Sequence, residues 1–294
     1  MTRLHLMLAL IVIVLLQACA KSGPEPDTPE ATDRYLVIGS YLAEIMVELD
    51  ATDQIVGVSA GTEHITELQD VPMIPGFRNT SAEAMLALEP TIALMAGRQT
   101  RPEIISQLEA AGVEVHLFPD DIADLAIVPA RIQEIGLLLN REIQAERLAR
   151  RFEADLADAI AYAERATSRP RGMFILSGGG RPTLVAGEDT HIALLIQLAG
   201  GTNVTRGISQ YKPMSQEAML AAAPDFILVN EDGLTLTGGV PNALKAPGAS
   251  LTPAGKTGNV FTLPGGYLQG LGLNSPDAIR AIADRIHPEL DQGK

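Results

Sequence analysis

Tryptophan is absent from the 294-residue chain, and cysteine occurs once, at Cys19. A single cysteine excludes an internal disulfide and leaves no Cys-x-x-Cys pair for metal or redox chemistry. Histidine is scarce as well, with five residues and no His-x-x-x-His pair. There is no Gly-x-Ser-x-Gly nucleophile turn and no Gly-rich loop ending in Gly-Lys-Ser/Thr, so the usual parts of a hydrolase or nucleotide enzyme are missing and an enzyme is not expected. Basic clusters are lacking too. The formal net charge is −14, which argues against nucleic acid or an anionic membrane as a partner of the folded body. The one long apolar run, Leu6 to Leu16, is too short to cross a bilayer comfortably.

That run follows Arg3 and leads into Leu16-Gln-Ala-Cys19, the order of a secretory signal: a charged start, an apolar core and small residues at the cut. The expectation is a signal peptide over residues 1–18. The Leu-x-Ala-Cys ending resembles a bacterial lipobox, which implies that Cys19 carries lipid and anchors the protein to a membrane on the periplasmic side. Residues 19–33, with Pro24, Pro26, Pro29 and several acids, lack apolar content and read as a solvated tether.

The most informative stretch is stated twice. Ser81 to Leu94 and Ser215 to Leu228 share eight of fourteen positions at a constant offset of 134. Each copy has a capping Ser, an early Glu suited to the positive end of a helix, a Pro that stops it, and a short apolar strand. Two related lobes follow from this. Around the first copy, Tyr35 to Ile38, Ile55 to Val58 and Val113 to Phe118 read as strands, and helices follow Gly39-Ser40 and Arg101. This alternation marks an α/β layer. The connection Ser59 to Thr80 is long and polar, a length usually tied to function or disorder.

From Pro129 apolar residues keep a helical period to Ile160, with no Gly or Pro between Leu137 and Pro170. One helix of roughly 35 to 40 residues, on the order of 55 Å at 1.5 Å per residue, would link the lobes; a break near Gly136 or Asn140 is the other reading. In the second lobe, Met173 to Leu176, a glycine-rich turn and Leu184-Val185 read as a hairpin rather than a phosphate loop. A helix from Thr190 to Leu198, a Gly-rich loop from Gly233 to Gly248, the strand Val260 to Leu263 and a helix from Pro276 to Ile286 complete it. The expected divisions are 34–126 for the N-terminal lobe, 127–169 for the connecting helix and 170–290 for the C-terminal lobe.

Arg78-x-x-Ser-Ala-Glu83, Ala186-Gly-x-x-Thr190, Leu198-Ala-Gly-Gly-x-Asn203, Tyr211-Lys-Pro-x-Ser-x-Glu217 and Leu251-Thr-Pro-Ala-Gly255 resemble the haem-binding members of the substrate-binding proteins of bacterial ABC importers. The resemblance covers about Tyr35 to Pro288. It implies a class III fold: two Rossmann-like α/β lobes joined by a single long backbone helix, with haem as cargo in the cleft and an ABC permease and its ATPase as partners. The same fold serves corrinoid, ferric-siderophore and metal-ion binders, so those cargoes are the alternatives.

In the family a Tyr after the second strand commonly ligates the haem iron, and its position falls on His64. Imidazole is also an axial ligand of haem iron, so His64 is the expected metal ligand, with His191 in reserve. Arg78 follows the same loop, and its fixed guanidinium suits a propionate; Tyr211 and, more weakly, Tyr267 are expected to face the porphyrin; and the repeat, with one carboxylate at each matching helix start, points to Glu83 and Glu217 as docking residues for permease arginines. Of the remaining histidines, His116 falls in a strand and His287 near the C-terminus; neither is expected as a ligand.

Overall fold

Tyr35–Ile38 is buried at all four positions and Ile92–Ala96 at all five, so neither strand has a solvent face. Continuous burial of this kind suits a parallel sheet covered by helices on both sides. In the computed structural model, which describes residues 33–74, 81–97, 100–119, 124–176, 183–230, 240–268 and 270–293, they are the central strands β1 and β4 of the N-terminal lobe. β2 (Ile55–Ser59), β3 (Met73–Ile74) and β5 (Glu114–Phe118) complete a parallel sheet of order β3-β2-β1-β4-β5. The helices are α1 (Ser40–Glu48) after β1, α2 (Ala82–Leu86) before β4 and α3 (Pro102–Ala110) before β5. β3 lies inside the long polar connection Ser59 to Thr80, where no strand was expected. Two residues are too few to show a strand period, and its pairing with Val58 and Ser59 creates it.

The connecting segment departs from the single helix expected from Pro129. It forms α4 (Ile127–Leu138) and α5 (Glu142–Glu164), with a reversal between them. Asn140 turns the chain at φ 53, a left-handed conformation that Asn tolerates better than most residues. Gly136 makes the reversal close: a Cβ there would lie 2.2 Å from the Ala145 Cβ. α5 alone is the long backbone helix, with 23 residues and a length of about 35 Å at 1.5 Å per residue. Its stripe Ala145, Leu148, Ala149, Phe152, Ala159 and Ala163 is buried at helical spacing. Its first half holds the N-terminal lobe, where Arg151 pairs with Glu48 and Arg141, just before the helix, reaches the Leu49 carbonyl. Its second half holds the other lobe, where Tyr162 donates to Asp284.

The C-terminal lobe contains β6 (Arg171–Leu176), β7 (Leu184–Ala186), β8 (Thr202–Asn203), β9 (Tyr211–Pro213), β10 (Phe226–Asn230) and β11 (Val260–Leu263), with path order β11-β10-β6-β7-β9 and β8 also on β6. β10 runs parallel to β6 and β11, and β6–β7 and β7–β9 are antiparallel, which bears out the hairpin. Its helices are α6 (His191–Leu198), α7 (Gln216–Ala222), α8 (Val240–Ala243), α9 (Pro253–Thr257) and α10 (Ser275–Ile286). α8 falls in the stretch expected as a Gly-rich loop. One apolar cluster runs from Tyr35 and Leu42 through Phe152 and Ala163 of α5 to Phe174, Ile192 and Ile279. Both lobes therefore share a core across the connecting helix, and each fully buried Ile contributes roughly 1.5–3 kcal/mol.

Candidate functional site

In an open parallel sheet, ligands bind beyond the carboxyl ends of the strands where the strand order reverses. Here that place is the end of β1, flanked by β2 on one side and β4 on the other. Gly39 makes the turn into α1 at φ 132, and its N–H donates to Ser59 Oγ at 3.0 Å. Tyr41 and Glu44 then share one face of α1, three residues apart, and both are buried.

A strap from the other lobe, described at residues 265–268 and 270–274, crosses this face. It comprises the 3₁₀ turn Gly265–Leu268 and the approach to α10. Its glycines permit the contact. A Cβ on Gly272 would lie 2.8 Å from Tyr41 Cβ and 3.1 Å from Glu44 Oε2; one on Gly266 would lie 2.5 Å from His64 Cδ2 and Nε2. Arg131 of α4 fixes the strap from beneath. Its Nη1 donates to the Leu271 carbonyl at 3.0 Å, Nη2 donates to the Pro119 carbonyl, and the guanidinium lies 4.5 Å from the centre of the Tyr41 ring.

Glu44 Oε1 is the meeting point. His64 Nε2 lies 2.9 Å from it, and Asn274 Nδ2 donates to it at 2.8 Å. Two residues of the N-terminal lobe and one of the C-terminal lobe thus share a single carboxylate oxygen. The Glu44 side chain is 10 % exposed and that of His64 25 %. Burial raises the Glu44 carboxyl above its ordinary range, while the hydrogen bonds and charge of His64 and the Asn274 amide act in the opposite direction.

The other candidates follow along an arc from His64. Tyr267 is next to Gly266 in the strap, half-buried; burial first, then Asp277, raises its phenol. His191 is the first residue of α6, with Nε2 2.9 Å from the Leu268 carbonyl, so that nitrogen carries a proton. Thr190 accepts from Ala193 N at 3.3 Å and donates to the Gly187 carbonyl at 2.7 Å. Asp189 accepts from Ser209 Oγ and Gln210 Nε2, both at 2.7 Å, and from the Gln210 backbone N–H. Those bonds, with the backbone N–H first, hold its carboxyl down at about 2. They also hold Gln210 at φ 61, and Tyr211 follows with its ring edge-on to Phe174 at 6.3 Å. The Ala186-Gly-x-x-Thr190 motif is thus a scaffold for Tyr211. Leu251-Thr-Pro-Ala-Gly255 is likewise structural, since Thr252 caps α9 by accepting from Gly255 N at 3.1 Å.

Glu83 and Glu217 stand apart from this arc, each exposed at the second position of its helix. Backbone N–H and the Ser215 hydroxyl hold the Glu217 carboxyl below its ordinary range. His116 pairs with Glu114 at 2.8 Å on the edge strand, and His287 is fully buried with Nδ1 3.2 Å from Ser168 Oγ. Arg78 and Cys19 lie outside the described residues. Glu44, Asn274, Arg131 and the strap glycines escaped the sequence reading. Arg131 alone left a signal: it shares the face of Val128, Ile132 and Ile135, where a charge is out of place.

The periplasmic binding protein family matches residues 37–267, from β1 to the strap. The chain belongs to the periplasmic binding protein family. Solved structures of similar shape include two periplasmic heme-binding proteins. The periplasmic heme-binding protein RhuT from Roseiflexus sp. RS-1, in apo form, is 31% identical with a TM-score of 0.83, over 88% of this chain and 99% of that one. The periplasmic heme-binding protein BhuT in complex with two hemes is 32% identical with a TM-score of 0.79, over 87% and 98%. The molybdate-binding protein MolA of Haemophilus influenzae is 25% identical over 90% of this chain and 82% of its own. The two-lobed fold and its family are therefore as the motifs implied.

Proposed function

We propose that the chain is an extracytoplasmic haem-binding protein, lipid-anchored at Cys19, that holds haem between its lobes and delivers it to an ABC permease. The observation that carries this reading is the likeness over nearly the whole folded chain to RhuT and BhuT, both heme-binding proteins at more than 30% identity. The site residues support it. His64 presents an imidazole at the junction of the lobes, where a neutral ring can ligate ferric iron. Tyr267 and Tyr211 offer aromatic faces on the C-terminal side, and Arg78, four residues beyond Ile74, has the planar fork that suits a propionate. Glu83 and Glu217 are carboxylates at equivalent places on the two lobes, a match for a two-fold symmetric partner.

Titrating the purified protein with hemin tests the reading. A Soret shift that saturates at a fixed ratio is expected. An unchanged spectrum, with binding of cobalamin, a ferric siderophore or molybdate instead, would assign the site to another cargo.

A further inference from the structure

Arg131 is the one Arg or Lys buried among the described residues, at 4 % exposure, and no described carboxylate pairs with it. Taking a guanidinium out of water without a counter-ion is costly, and an apolar side chain on the face of Val128, Ile132 and Ile135 would avoid that cost. The charge is instead divided among three pieces of chain. Nη1 donates to the Leu271 carbonyl of the strap, Nη2 to the Pro119 carbonyl after β5, and the planar group lies over the Tyr41 ring of α1. Nε is buried with no hydrogen-bond partner, so even this arrangement leaves one donor unmet. The strap closes on the same ring. Gly270, at φ 141, would carry a Cβ 3.1 Å from Tyr41 Cδ1, and a Cβ on Gly272 would lie 2.8 Å from Tyr41 Cβ. Tyr41 is thus gripped by a guanidinium from α4 and by two glycines of the other lobe, and the Leu271 carbonyl between those glycines ties the two grips together.

We propose that Arg131 is a positioning residue for the cargo cleft: it latches the strap onto α1, and through the strap it sets the place of Tyr267 and the affinity for haem. The proposal rests on the haem reading above and adds a residue that acts on the cargo through the strap. Arg suits this part better than Lys, because a planar fork reaches two carbonyls and still stacks on a ring, whereas an ammonium is one point charge. With the strap seated beforehand, binding need not order it, and the cost saved appears as affinity. The Leu268 and Leu271 side chains are buried in the shared core independently of the guanidinium, so its loss should loosen the strap and not release it.

The test compares the whole protein with its Arg131→Met and Arg131→Lys variants. Without hemin, amide hydrogen exchange in Arg131→Met should quicken at Tyr267, Gly272 and Ser275, whose N–H groups donate to the Pro264 carbonyl, Ser275 Oγ and the Gly272 carbonyl. The central strands β1 and β10 should exchange no faster than in the wild type. Met fills the site with apolar bulk and removes the desolvated charge, so the denaturant midpoint should hold or rise. Hemin affinity should nonetheless fall by about 3- to 10-fold, the loss that comes with ordering one or two side chains on binding, with the Soret band at its wild-type position. Arg131→Lys, which keeps a cation but not the fork, should lie between the two. A purely structural role would not lower affinity while the midpoint holds.

Wild-type hemin affinity in Arg131→Met, or strap amides that exchange no faster than in the wild type, would overturn the proposal. So would a loss of protection spread evenly over β1, β10 and the strap, which would make Arg131 a stability residue only. Should Arg131→Met not fold, strap exchange in Arg131→Lys decides, and rates equal to the wild type count against the latch. A wild type that binds no hemin would fail the haem reading and with it the link to affinity, while the strap amides would still decide whether Arg131 latches the lobes.

Discussion

The two copies of the repeated stretch build the same object in different company. In each, a Ser at the helix start accepts from the backbone N–H three residues on at 3.2 Å, and a Met one turn further is buried. In each, the residue before the Pro is left-handed without being glycine: Glu89 at φ 50 and Ala223 at φ 41, again 134 apart. In each, the strand that follows is flanked on both sides, β4 by β1 and β5, β10 by β6 and β11. The connections after the neighbouring strands differ. β1 runs into a helix that brings Tyr41 and Glu44; β6 runs into a hairpin whose far strand, β7, pairs with β9 and its Tyr211. The duplicated part thus fixes architecture and the exposed carboxylates, and the unduplicated connections carry the candidate site residues.

If the copies dock as a pair, reversing both Glu83 and Glu217 to Lys should abolish ligand uptake in cells while hemin affinity stays unchanged. Each single reversal should give a partial loss. Uptake that survives the double change would leave the two acids as helix-start carboxylates only. A second comparison concerns packing. An Ala Cβ at Gly172 would meet the Phe226 ring at 2.0 Å, and that ring is stacked on Phe261 at 5.8 Å and has nowhere to go. At Gly57 the obstacle is the tip of Leu88, at 2.4 Å, which can turn aside. Gly172→Ala should cost about 1–3 kcal/mol by overpacking and Gly57→Ala less, as read by denaturant midpoints. Equal losses would mean that the Leu88 side is as rigid as the Phe226 stack.

Periodicity and the repeat made most of the fold legible: β1 and β11 run between the residues expected, and other elements agree within a residue or two. Where pattern reading stopped, the cause is distance along the chain. β3 and β8 are two residues each and exist through pairing with β2 and β6. The break at Asn140 is set by the close approach of Gly136 to Ala145, a contact that only the reversal creates. Of the candidate site, the sequence singled out His64, by its position after the second strand, and Tyr211, by its motif; Glu44 joins His64 to Asn274, a partner 230 residues away, and no local pattern carries that information.

The Tyr211 side of the cleft gives a pH prediction that the His64 side does not. Asp189 has a folded value of about 2 against an ordinary value of 3.8. A depressed carboxyl stabilises above the unfolded value and loses that contribution as pH falls through the folded one. The Gln210 amide, corrected for intrinsic exchange, should therefore keep its protection above about pH 4 and lose it toward pH 2. Asp189→Asn should remove the pH dependence. The smallest effect belongs to the matched left-handed residues. Replacing Ala223 or Glu89 by Gly relieves roughly 1–2 kcal/mol of backbone strain and gives back about 0.5–1 kcal/mol in entropy. Both should raise Tm by a few degrees at most. A fall in either would show that the strain is relieved by contacts Gly cannot keep.

The central claim is that the unduplicated loop after β2 supplies the iron ligand, and the direct measurement is a hemin titration followed by absorption for the wild type, His64→Ala and His64→Tyr. The account predicts shifted Soret and visible bands and weaker binding in His64→Ala, and recovered binding with a phenolate-type spectrum in His64→Tyr. An unchanged spectrum in His64→Ala, together with an altered one in His191→Ala, would place the ligand on the other lobe and contradict it.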